Sequence, residues 1–103
     1  MRDLASLTAG DFEAVLGSEF EITDGGTGPL RVRLSEVVRL DGPPEHRRPF
    51  LVHFQGPPSP VLAQVVHHVV HAEMGEFDLF LGPVFVGPAT PRSEGTTYEA
   101  IFA

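Results

Sequence analysis

The sequence predicts an all-β domain with one short N-terminal helix and about six antiparallel strands, arranged as a small, partly closed barrel or a sandwich. Three observations predict it. Past Gly17, most apolar stretches alternate with polar residues at period two, the mark of half-buried strands. The 11 Gly and 10 Pro fall between those stretches, at spacings suited to antiparallel connections. A helical period is clear only in the segment ending at Leu16.

That helix is expected over residues 8–16. Thr8 is a good N-cap, and Asp11 three residues later completes a Thr-x-x-Asp capping box. Leu7 and Phe12 have the spacing of a hydrophobic staple, and Phe12, Val15 and Leu16 share one face. Gly17 sits where a left-handed C-terminal cap belongs. Two turns alone are unstable in water, so the apolar face must pack on something larger.

Strands are expected over 18–23, 29–39, 49–55, 64–71, 76–86 and 96–102. Glu19-Phe20-Glu21-Ile22 and Leu30-Arg31-Val32-Arg33-Leu34 alternate cleanly. Residues 64–71 fit helix and strand alike, but Val65, Val66, Val69 and Val70 favour a strand. Gly82-Pro83 permits a bend inside the fifth strand. No repeat or internal boundary is visible, so residues 1–103 read as a single domain. Alternation turns Phe12, Leu16, Phe20, Ile22, Leu30, Val32, Leu34, Phe50, Val52, Phe54, Val69, Phe77, Leu79, Leu81 and Phe102 inward. These side chains suffice for a small core, without surplus for a large internal cavity.

Composition narrows the role. The 103 residues carry 14 acidic and 7 basic side chains, a net charge of −7, so nucleic acid is a poor partner. Cys is absent, which removes disulfides, thiolate chemistry and Cys-type zinc sites. No apolar run reaches the length of a membrane helix, and Met1–Ser6 lacks the apolar centre of a secretory signal. The expected location is the cytoplasm, or an extracellular assembly reached without a cleavable signal.

Four blocks carry a resemblance. They are Leu7-Thr8-x-x-Asp11-Phe12-x-x-x-Leu16-Gly17-x-x-Phe20, Arg48-Pro49-Phe50-x-x-x-Phe54-x-Gly56-Pro57, His71-x-x-x-Gly75-x-x-x-Leu79-Phe80-Leu81-x-Pro83-Val84 and Tyr98-Glu99-Ala100-x-Phe102. In this order they resemble a family of small bacterial domains of unknown function, over nearly the whole chain. The resemblance implies a small all-β protein with no assigned activity, cofactor or catalytic residue. It also implies a setting near phage-tail-like or fibre-like assemblies.

The histidines alone invite a metal or enzyme reading. On a helix His67 and His71 would lie one turn apart and could share zinc. On a strand they stand about 13 Å apart, too far for one ion with bonds of about 2.0–2.1 Å, and His68 faces the other way. Neither a metal nor another cofactor is expected. The pairs Glu19/Glu21 and Glu76/Asp78 read as a solvated sheet face, and Asp78 or Glu99 is expected to meet Arg31 or Arg33 across strands. No serine stands in a nucleophile elbow, and Gly25-Gly26-Thr27-Gly28 reads as a hairpin loop rather than a phosphate cradle.

Binding has more support than catalysis. Phe80, Val66 and Val70 fall on the faces opposite the main inward set. A two-layered sheet would leave them as an exposed apolar patch, whereas a closed barrel or the short helix lying over them would make them core, the favoured expectation. Arg47 and Arg48 could hold an anionic group on a partner. The leading expectation is therefore a non-enzymatic structural or protein-interaction module, with a protein partner or self-association. The alternative is a small-molecule-binding or metal-dependent hydrolytic barrel, which would require two or more of His53, His67 and His71 to converge in a concave pocket with a carboxylate. A carbohydrate-binding role lacks support, since Trp is absent and Tyr98 is the single Tyr.

Overall fold

The computed structural model describes residues 6–23, 29–40, 49–84 and 95–102. The chain forms α1 (Ala9–Glu13), β1 (Glu19–Ile22), β2 (Leu30–Arg39), β3 (Phe50–Gly56), β4 (Val65–His71), β5 (Gly75–Val84) and β6 (Thr96–Phe102). The six strands close into an antiparallel barrel in the order β1-β2-β3-β6-β5-β4. Of the two expected architectures, the structure selects the barrel, and the barrel is closed. The helical alternative for 64–71 is settled by β4, whose burial alternates from His67 to His71.

The barrel consists of two meanders, β1-β2-β3 and β4-β5-β6, joined by a crossover over residues 57–64. Two ladders weld them. The β3–β6 ladder runs from Phe50↔Phe102 to Gly56↔Thr96, whereas β1–β4 has only Glu21↔Val70 and Ile22↔Val69. Leu62 in the crossover is buried, and its N–H donates to the Tyr98 hydroxyl at 3.1 Å. That bond ties the crossover to a side chain that is itself wholly buried.

The helix begins as the capping box requires. Asp11 N–H donates to Thr8 Oγ1 at 3.2 Å, and Thr8 N–H donates to Asp11 Oδ2 at 2.9 Å. It ends earlier than the expected 8–16, because a turn over residues 14–17 follows Glu13. Gly17, with φ +88°, turns the chain into β1. Arg39 anchors the helix from β2, its Nε donating to Glu13 Oε2 at 3.2 Å.

Phe12 plugs the barrel end. Its ring centroid lies 5.3 Å from Phe102, 5.9 Å from Phe50 and 6.3 Å from both Phe20 and Phe77. Such ring clusters bury much apolar area and gain from tilted contacts. The core departs from expectation in two residues: Leu16 is 53% exposed, and Leu30 is only partly buried. Leu16 leaves the core because the helix stops before it, so Val15 takes the inward place. Leu7, Ala9, Leu62, Met74, Tyr98 and Ala100 join the core instead.

Strand β2 is long but not regular. Its pairing with β3 steps from Leu34↔Phe54 to Glu36↔His53, leaving Ser35 as the extra residue of a bulge. Beyond it Val37, not Glu36, packs against the core. Arg47, Arg48, the 24–28 loop and the last two residues of the expected 76–86 strand lie outside the described residues.

Candidate functional site

Alternation on β4 turns His67, Val69 and His71 inward, and Val66, His68 and Val70 outward. Val66 and Phe80 are direct cross-strand partners, 58% and 55% exposed. On β6, whose ladder with β5 covers Gly82↔Glu99, Pro83↔Tyr98 and Val84↔Thr97, Ile101 also faces outward and is 62% exposed. Ile101 lies opposite Leu51, and Leu51 opposite Val38, both half-buried. The result is an apolar row on the outside of the barrel. The expectation that a closed barrel would make Val66 and Phe80 core is corrected, because the barrel closes with both on its outer face. Ile101 is not singled out by alternation, since its place depends on strand order.

Val70 does not join this row. Between it and Val66 stands His68, whose Nδ1 is 3.0 Å from Asp78 Oδ1 and whose Nε2 is 2.9 Å from Glu76 Oε1. Hydrogen bonds to Asp78 and then Glu76 hold the His68 imidazole above its ordinary pKa. Val70 lines a separate groove of about 620 Å³ between the turn after α1 and the β1–β4 seam. Leu16, Val15 and Ser18 line it too, with Glu19, Glu21 and Glu73 also present.

A second histidine–carboxylate cluster lies on β3. His53 Nε2 is 2.8 Å from Glu99 Oε2, and its Nδ1 is 3.6 Å from Glu36 Oε1. Both carboxylates belong to its register partners on the flanking strands. The expected pairing of Asp78 or Glu99 with Arg31 or Arg33 is therefore corrected, for β2 adjoins only β1 and β3. Arg31 instead approaches Glu21, Nε to Oε1, at 3.8 Å.

His71 and Ser18 form the arrangement closest to a catalytic pair. His71 Nε2 is 2.8 Å from Ser18 Oγ, and the ring packs on Phe20 with centroids 4.3 Å apart. The other nitrogen decides the chemistry. Nδ1 accepts from the backbone N–H of Glu73 at 3.0 Å and of Met74 at 3.1 Å, so the neutral ring carries its proton on Nε2. Nε2 thus donates to Ser18, whose hydroxyl in turn donates to the carbonyl of Val15. A general base would need a lone pair, not a proton, facing the serine. His71 therefore orients Ser18 without activating it. Burial pushes its pKa down, against the opposing charge of Glu73.

His67 points to a different partner, its Nε2 donating to the carbonyl of Ala63 at 2.8 Å. His53 lies outside the barrel wall, and His67 and His71 stand about 13 Å apart along β4. No two of them converge. Among the described residues, no group of three or more His, Asp or Glu is arranged to hold a metal ion. No helix among them is long and apolar enough to cross a membrane.

A family model, Domain of unknown function (DUF6916), matches residues 7–102. The chain belongs to this family. No curated protein and no solved structure matches it. The DUF6916 span begins at Leu7, a fully buried residue beside the helix cap, and ends at Phe102, whose ring stacks on Phe50 at 4.5 Å. The whole barrel, its helix plug, the outer apolar row and the groove therefore lie inside the family's boundaries.

Proposed function

We propose that this DUF6916 domain is a non-enzymatic protein-interaction module that docks a partner protein on the outer row Val66–Phe80–Ile101. The observation that carries the reading is the row itself: three large apolar side chains, each more than half exposed, on neighbouring strands. Clustered apolar exposure of this kind marks interaction sites, whereas scattered exposure does not. The ladder also presents the side chains on a rigid support, which lowers the ordering cost of binding. Glu76, Asp78 and Glu99 border the row, so a partner with a basic rim fits best. The family resemblance supplies the setting, an accessory role in a tail-like or fibre-like assembly. Against the hydrolytic alternative stands the Ser18–His71 tautomer, which leaves no base on the serine.

The test is a binding assay of the purified domain against the products of neighbouring genes, with wild type and Phe80→Ser side by side. A partner held by the wild type and weakened about tenfold or more by the substitution supports the reading. Retention of none of these products, or of one that Phe80→Ser leaves unaffected, sinks it.

A further inference from the structure

We infer that the groove between the turn after α1 and the β1–β4 seam is a second binding site, built for a basic partner segment that carries an apolar anchor beside its Lys or Arg. Its volume of about 620 Å³ lies within the range of side-chain and small-ligand pockets. Leu16 and Val70 supply apolar wall, and Val15 is buried beneath. The helix pattern puts Leu16 on the inward face, but the early end of α1 leaves it 53% exposed at the lip. An inserted apolar side chain would cover Leu16 and Val70 together.

The charge around the groove selects the occupant. Glu19, Glu21 and Glu73 all line it, and among the described residues no Arg does. Arg31 approaches Glu21 loosely, at 3.8 Å, while Arg33 lies opposite Glu19 in the β1–β2 register. The His71 ring contributes no positive charge, because its Nδ1 is an acceptor for two backbone N–H groups. An anionic ligand meets repulsion, and a purely apolar one would desolvate carboxylates without compensation. A second copy brings its own net charge of −7. A cationic, partly apolar segment meets both requirements. This site is independent of the Val66–Phe80–Ile101 row, from which His68 and its two carboxylates divide it.

The probe is the acetylated, amidated tetrapeptide Leu-Arg-Leu-Arg, titrated into the full ¹⁵N-labelled chain by NMR, with Leu-Glu-Leu-Glu as its acidic counterpart. The expected result is a set of shifts at Leu16, Val70 and Ala72 for the basic peptide only. Affinity should fall about tenfold in Glu19→Gln/Glu73→Gln and weaken with added salt. Leu16→Ser should lower it about as much while leaving the melting temperature in place, and Phe80→Ser should leave it unchanged. Equal shifts from both peptides, shifts confined to the Phe80 row, or no shifts at all would overturn the inference.

Discussion

Lowering the pH below the ordinary imidazole range will destabilise this barrel through His71. In the fold, burial keeps that ring neutral, and its Nδ1 lone pair receives two backbone N–H groups. In the unfolded chain it titrates near 6.5. The native pKa is thus the lower one, so unfolding takes up a proton as pH falls through 6.5. The stability this group contributes is complete above that value and is lost below it. One proton per unfolding event sets the steepest slope, about 1.4 kcal/mol per pH unit. For a domain of this length, 1 kcal/mol corresponds to about 4–8 °C in melting temperature. His68 works in the opposite sense, because its raised pKa makes its contribution present at low pH and lost as pH rises. Comparison with His71→Gln cancels that term, since both proteins retain His68. The assay is urea unfolding between pH 7.5 and 5.0. Wild type should lose stability relative to His71→Gln at up to the stated slope; parallel curves would refute the proton assignment at Nδ1.

Three further perturbations test the packing. Tyr98→Phe removes the acceptor of the buried Leu62 N–H and should cost about 1–3 kcal/mol by urea unfolding, with the fold retained in circular dichroism. Gly82→Ala would set a Cβ 2.4 Å from the Cβ of Gln64 and 2.9 Å from its Cα, so a loss of about 1–3 kcal/mol is expected in thermal melts. Thr8→Ala removes one half of the capping box and should cost about 0.5–2 kcal/mol, with amide exchange rising at Asp11 before the barrel strands.

Much of this molecule is visible in its residues. Alternation marked β1, β2 and β5, the valines decided β4, and the Thr8/Asp11 spacing marked the start of the helix. What alternation cannot give is who stands beside whom. Glu99 meets His53 because β6 adjoins β3, and Asp78 meets His68 because β5 adjoins β4; no local pattern encodes either neighbour. The same holds for Ile101, whose neighbours across the wall follow from β6 lying between β3 and β5. Leu62 sits in a proline-rich crossover with no period to read, and its burial depends on the distant Tyr98 hydroxyl. Tyr98 itself was within reach, since stepping back from Phe102 through Ala100 lands on it. The exposed lip of the groove at Leu16 depends on where α1 ends, which the apolar spacing overstates.

Splitting the barrel into two meanders has a consequence for how the chain reaches it. Each half, alone, would leave the inner wall of a curved three-stranded sheet facing water. The contacts that cover it join Phe50 to Phe102 and Ile22 to Val69, partners about half a chain length apart. Closing such distant contacts slows folding relative to helical bundles of equal size. Self-assembly here is therefore a concerted event, in which both walls and the phenylalanine stopper must arrive together before any of them is secure.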